Sequence, residues 1–177
     1  MSLESLYQKI TEFGSQISER AQTKSVCQQG CSRCCYVDLS VFEIEANAIT
    51  NWFQNLPSDQ QAKLKEQWKK PTLIKENFFQ QNTSACPFLK EESCTIYEVR
   101  PLICRSQGLP LTFKLDQSWM QDLCPLNIDM QPELEKKDWL NLDLLNTILA
   151  HLELLDAQKN ERPRQRLRDL QAKLISI

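Results

Sequence analysis

Four of the eight cysteines in this 177-residue chain fall within nine residues, as Cys27, Cys31, Cys34 and Cys35 in the run CQQGCSRCC. The other four follow in Cys86-Pro87-Phe88-Leu89, Cys94-Thr95-Ile96-Tyr97, Cys104-Arg105 and Cys124-Pro125. Thiolates at short spacings converge on a soft cation because a tight turn brings the sulfurs of neighbouring cysteines together. Metal ligation is therefore expected of all eight. A disulfide framework is the competing use of an even cysteine count. It is disfavoured because each bridge needs a partner Cα at roughly 4.4–6.8 Å, which the vicinal pair Cys34-Cys35 and the crowded 27–35 window make awkward. A chain of this length also buries most of its apolar surface without covalent staples.

Other chemistries are short of residues. His151 is the single histidine, so neither a Ser-His-Asp or Cys-His pairing nor a two-histidine, one-carboxylate iron site is readily assembled. It lies in a leucine-rich stretch far from the cysteines and is read as a packed or surface residue, which leaves all-sulfur sites. With only Gly14, Gly30 and Gly108 there is no GxGxxG and no GxxxxGK[ST], and phosphate-cradling loops are excluded. Gly30, directly before Cys31, suits a positive φ that folds the loop's sulfurs inward. Lys and Arg number 21 against 23 Asp and Glu, a net charge of -2, so nucleic acid is not an expected partner. The basic run from Lys159 to Arg168 is interrupted by Glu161 and lacks aromatics; it reads as a solvated helical face. No apolar run approaches the roughly 18–20 residues of a membrane span, and MSLESLYQKITEFGSQISER has no apolar signal core. A cytoplasmic location is expected.

The elements that must position the sulfurs are mostly helical. Leu3, Leu6, Ile10, Phe13 and Ile17 recur at three- and four-residue steps on one face of a first helix. Ser40 with Glu43 reads as a capping box, opening a second helix whose apolar face carries Val41, Ile44, Ala48 and Trp52 and which stops near Leu56-Pro57. A third helix runs from Ser58 to about Lys70 with Leu64 and Trp68 inward, and 72–82 continues as helix through Phe78-Phe79. From Cys86 to Cys124 prolines at 87, 101 and 110 break the pattern, and LPLTFKLDQSWM reads as a short β-hairpin turning near Asp116-Gln117-Ser118. Trp139, Leu142, Leu145, Leu149, Leu152 and Leu155 then form a helical stripe, broadened by Leu140, Leu144, Ile148 and Leu154 to a width implying burial on two sides. A last helix spans about 163–175 with Leu167, Leu170 and Leu174. The expected fold is mainly α: a single small helical domain, 1–177, in which helices over 1–24 and 133–177 flank an irregular cysteine-rich metal-binding core at about 27–125.

The sequence of motifs C-x3-C-x2-C-C, then C-P-F-L, then Cys94-Thr95-Ile96-Tyr97-Glu98-Val99-Arg100-Pro101-Leu102-Ile103-Cys104-Arg105, resembles the CxxCxxCC or YkgJ-like family of zinc- or iron-chelating proteins over about residues 27–125. The first spacing here is x3 rather than x2, which bears on the role of Cys27. The resemblance implies iron–sulfur or zinc binding, with the flagellin lysine methylases among the better-defined relatives. Two features of the chain favour iron–sulfur. The Cys-Pro dipeptides at 86–87 and 124–125 are of the kind that ends ferredoxin ligand runs, and Arg100 and Arg105 could offset the negative charge of a cluster–thiolate assembly. Cys27-x3-Cys31-x2-Cys34 also has the spacing of radical S-adenosylmethionine enzymes, but this chain lacks the length and strand–helix alternation of their barrel.

An iron–sulfur protein in a redox, cluster-handling or accessory role is thus expected, serving a protein or small-molecule redox partner, with zinc as the alternative metal. A cluster-dependent modifying enzyme, methyl transferase or oxidoreductase, and a zinc-stabilised interaction module are the other classes weighed; no catalytic residue is assigned. A monomer is favoured slightly over a homodimer.

Overall fold

The computed structural model describes residues 1–20, 27–72, 85–127, 129, 134–158 and 162–177. In chain order the elements are α1 (Leu3–Arg20), β1 (Ser40–Val41), α2 (Glu43–Gln54), α3 (Ser58–Lys69), β2 (Leu89–Lys90), β3 (Ser93–Cys94), a 3-10 turn (Tyr97–Val99), α4 (Leu102–Ser106), β4 (Leu111–Leu115), β5 (Ser118–Asp122), a second 3-10 turn (Lys136–Asp138), β6 (Leu140–Asn141), α5 (Leu142–Asp156), β7 (Gln165–Arg166) and α6 (Leu167–Ser176). The fold is mainly α with small sheets, as expected. It comprises two compact units, Met1–Gln28 with Leu102–Lys159, and Gln29–Pro101 with Asn160–Ile177.

In the first unit α1 buries Leu6, Tyr7, Ile10 and Ile17, the face that its three- and four-residue periodicity marks, and α4 packs on it. Gly14 lets the chain approach closely: a Cβ there would stand 3.1 Å from Leu109 Cδ2. The hairpin of β4 and β5 pairs Leu111↔Asp122 through Leu115↔Ser118. Its two-residue turn, Asp116-Gln117, takes φ values of 46° and 69°, the left-handed pair that matches the twist of the flanking strands. Ser118, expected in the turn, opens β5. Trp139 and Leu140 were expected in a helix, but Leu140 and Asn141 instead form β6, parallel to β4. The helix begins only at Leu142, where Asn141 Oδ1 accepts from the Leu144 amide at 3.0 Å, capping an otherwise orphaned donor. Within the chain the wide apolar face of α5 is covered in part. Leu145, Leu149 and Leu152 are buried, whereas Leu144, Leu154 and Leu155 are 56%, 41% and 59% exposed.

In the second unit the core gathers Val41, Ile49, Phe53, Trp68, Phe88, Ile96, Leu167, Leu170 and Leu174. Phe53, Trp68 and Phe88 pack in series, the first pair tilted by 36° and the second edge-on at 79°, with centroids 5.2 Å apart at each step. Trp68 Nε1 donates to Thr95 Oγ1 at 2.8 Å, and that hydroxyl donates to the Phe88 carbonyl at 2.9 Å, so the indole is buried with its polar atom satisfied. The second helix starts two residues later than expected, with its cap at Phe42, and its buried face is turned by one residue. Ser40 and Val41 lie in β1, paired with Arg166 and Gln165; Glu45 accepts from the Phe42 amide at 3.2 Å; and the buried face is Glu45, Ala46, Ile49 and Phe53. A strand pairing with Arg166, 126 residues away, removes Ser40 from the capping position, a non-local event that local signals do not carry. Most of the 72–82 helix expectation lies outside the described residues. The expected last helix starts at Leu167, because β7 takes up Gln165 and Arg166.

Candidate metal centre

All eight cysteines are among the described residues, all are partly buried, and no disulfide joins any two of them. Cys31, Cys34, Cys35, Cys86 and Cys94 belong to the second unit, and Cys27, Cys104 and Cys124 to the first.

In the second unit two segments are tied by backbone. The Cys35 amide donates to the Ser32 carbonyl at 2.9 Å, and the Cys35 carbonyl accepts from the Cys86 amide at 2.7 Å. Cys86 and Cys94 are related by a tight hairpin, in which Leu89 pairs with Cys94 and Lys90 with Ser93. Its turn, Glu91-Glu92, holds φ at 50° and 62°, an uncommon conformation for residues bearing a Cβ. The hairpin is held at both ends. Thr72 Oγ1 donates to the Leu89 carbonyl at 2.7 Å, Lys90 Nζ donates to the Lys70 carbonyl at 2.6 Å, and the Thr95 amide donates to the Phe88 carbonyl at 2.9 Å. From α6, Gln171 Nε2 donates to the Pro87 carbonyl and Arg168 Nη2 to the Ala85 carbonyl at 3.4 Å. The carbonyls on either side of Cys86 are thus both held by residues one helical turn apart.

The thiols themselves form a linked series. Cys34 is lowered to about 7, first by its hydrogen bond with Cys35 and then by its own amide and Arg100, against the opposing effect of burial. Cys94 is raised by burial, partly offset by the Ile96 amide and by Arg100. Burial pushes Cys86 up to about 12 although the Phe88 and Leu89 amides point at its sulfur and Arg168 adds a favourable charge. Main-chain N–H groups two and three residues beyond a cysteine, directed at its sulfur, are donors that stabilise thiolate and its metal bond. Arg100 stacks on Tyr97, with Cζ 3.7 Å from the ring centroid, and that stack holds the guanidinium where it acts on both Cys34 and Cys94. Arg105 belongs to the first unit and lies over Tyr7 at 4.3 Å. His151 is exposed on α5.

Among the described residues no three His, Cys, Asp or Glu side chains stand close enough to share one ion; the relations among Cys34, Cys35, Cys86 and Cys94 are pairwise. In chemistry this donor set nevertheless fits an all-sulfur metal centre, having four soft thiol donors, amide N–H groups directed at three of them and one guanidinium serving two. Gly30 takes φ of 99° directly before Cys31, as expected.

The residues that sequence reasoning did not single out are supporting ones. Arg168 closes the basic run and Gln171 lies in the terminal helix; their i, i+3 spacing puts them on one face, but nothing local says that this face meets Cys86. Asn127, three residues after Cys124, donates from Nδ2 to Cys27 Sγ at 3.6 Å and to the Gly108 carbonyl at 2.8 Å.

No curated protein and no solved structure matches the chain. A family model does, over residues 26–125, under the description "Putative zinc- or iron-chelating domain". That segment contains all eight cysteines and Arg100 and Arg105, and it covers more than half of the sequence: the chain belongs to the CxxCxxCC family of metal-chelating domains.

Proposed function

We propose that this chain is an iron–sulfur protein acting in electron transfer, cluster handling or as an accessory redox subunit, with Cys34, Cys35, Cys86 and Cys94 as the ligands of its centre in the second unit. Cys27, Cys31, Cys104 and Cys124 are proposed as further metal ligands. The observation that carries this reading is the disposition of donors toward sulfur: the Phe88 and Leu89 amides at Cys86, the Ile96 amide at Cys94, and Arg100 acting on Cys34 and Cys94. Hydrogen bonds and positive charge at ligand sulfurs are among the means by which a protein sets a cluster's reduction potential. An iron–sulfur cluster, when bound, would supply one-electron chemistry; the residues named here would orient its sulfurs and spread their charge.

Zinc, which the family description also names, is the alternative metal. Anaerobic purification followed by iron, zinc and acid-labile sulfide analysis separates them. Iron and sulfide in comparable amounts, with a visible sulfur-to-iron charge-transfer spectrum, are the expected result. A colourless protein with stoichiometric zinc and no sulfide would replace this reading with a zinc-stabilised interaction module.

A further inference from the structure

The first unit holds one sulfur whose surroundings are shaped around it. Asn127 is 2% exposed, and its main-chain N–H donates to the Cys124 carbonyl at 2.7 Å, which anchors it to the turn following that cysteine. Its side-chain Nδ2 stands 2.8 Å from the Gly108 carbonyl and 3.6 Å from Cys27 Sγ. A carbonyl oxygen only accepts, so the atom facing it must be the amide nitrogen, and the second hydrogen of that nitrogen is available to the sulfur. Gly108 supplies the clearance. A Cβ at this position would lie 2.0 Å from Cys27 Sγ and 2.7 Å from Cys27 Cβ, and the backbone φ is +86°.

We propose that Asn127 is the positioning residue for Cys27 as a metal ligand, directing its sulfur and withdrawing charge from it through an N–H···S bond, with Gly108 leaving the space in which the sulfur lies. The inference rests on the reading of Cys27 as a ligand. A neutral amide donor weakens the sulfur as an electron donor without adding charge, so its loss moves thiolate-to-metal charge transfer to lower energy. A residue that merely filled space would leave that energy unchanged.

Cobalt(II) added to the metal-stripped full-length chain is the probe, because thiolate-to-cobalt absorption reports the environment of each bound sulfur. Asn127→Asp keeps the shape and replaces the NH2 donor by an oxygen that repels both the Gly108 carbonyl and the thiolate. It should weaken cobalt binding by roughly 10–100-fold and shift the charge-transfer band to the red. Asn127→Ser, which keeps a hydroxyl donor, should shift it less and in the same direction, and carries the test if the Asp variant fails to fold. Cys27→Ser must reduce the band's intensity. If it does so while both Asn127 variants retain the wild-type band and affinity, the positioning role is refuted. If Cys27→Ser itself changes nothing, Cys27 is not a ligand and both claims fall.

Discussion

The main-chain N–H of Cys86 donates to the carbonyl oxygen of Cys35 at 2.7 Å, so two cysteine-bearing segments 51 residues apart are joined at the backbone before any metal is considered. Register between the segments is then set by peptide geometry, and a ligand lost from either one leaves the other partly in place. Cys94→Ala should therefore lower metal content and the unfolding midpoint together, since metal-binding free energy is folding free energy in such sites. Metal per chain and chemical denaturation, measured on the same preparation, check it; unchanged stability with full metal would remove Cys94 from the ligand set.

The two arginines separate. Arg100 acts on Cys34 and Cys94, whereas Arg105 covers Tyr7 in the first unit. Arg100→Ala should raise the Cys34 thiol and weaken metal retention against a chelator. Arg105→Ala should cost about 0.5–2 kcal/mol of stability through the lost cation–π contact and leave the visible spectrum unchanged. Equal loss of metal in both variants would overturn this division, which the common placement of the two arginines beside Cys104 in the sequence does not suggest.

Much of the helical scaffold was legible because apolar periodicity is local. Leu6, Ile10 and Ile17 face inward in α1, and Leu167, Leu170 and Leu174 in α6, where three- and four-residue steps place them. What was not legible depends on distant pairing. β1 with β7 displaced the start of α2, and β6 with β4 displaced the start of α5. The same limit applies to the site. Cysteine spacing named the sulfurs, while their supporting groups, Gln171 at the Pro87 carbonyl and Asn127 at Cys27, are contributed across 84 and 100 residues and have no local signature.

Gln171 offers a direct test of that support. Its side chain is nearly buried and satisfies the carbonyl next to Cys86, so Gln171→Leu leaves a buried acceptor unpaired at a cost of about 1–3 kcal/mol. The melting temperature should fall, and metal should dissociate faster from the variant than from wild type. An unchanged dissociation rate would limit Gln171 to a packing role.

Gly108→Ala should be among the most damaging single-methyl additions in the chain. The new Cβ meets Cys27 Sγ at 2.0 Å and must adopt φ of +86°, combining a left-handed penalty of about 1–2 kcal/mol with overpacking of about 1–3 kcal/mol. Gly14→Ala provides the contrast, since its nearest neighbour is the end of a leucine side chain at 3.1 Å and alanine gains about 1 kcal/mol in a helix interior. Urea denaturation of the two variants should rank Gly108→Ala far below Gly14→Ala; the reverse order would contradict the packing around Cys27.

The pH dependence follows from the opposed shifts of Cys34 and Cys86. With its thiol lowered to about 7, Cys34 is about half thiolate at neutral pH, and its contribution to folded-state stability is present above the ordinary thiol value and lost as pH falls through about 7. Cys86, pushed up to about 12 by burial, has the opposite sign: its protonated form favours the fold, and that contribution is lost as pH rises toward 12. In the metal-stripped chain iodoacetamide at pH 7 should therefore modify Cys34 well before Cys86, as peptide mapping by mass spectrometry will show. Metal must displace the proton of Cys86, so apparent affinity should climb by roughly tenfold per pH unit from this ligand across pH 6–8, while the part due to Cys34 levels off above 7. Zinc competition titrations at several pH values measure both. A pH-independent affinity would mean that Cys86 surrenders no proton and is not a ligand.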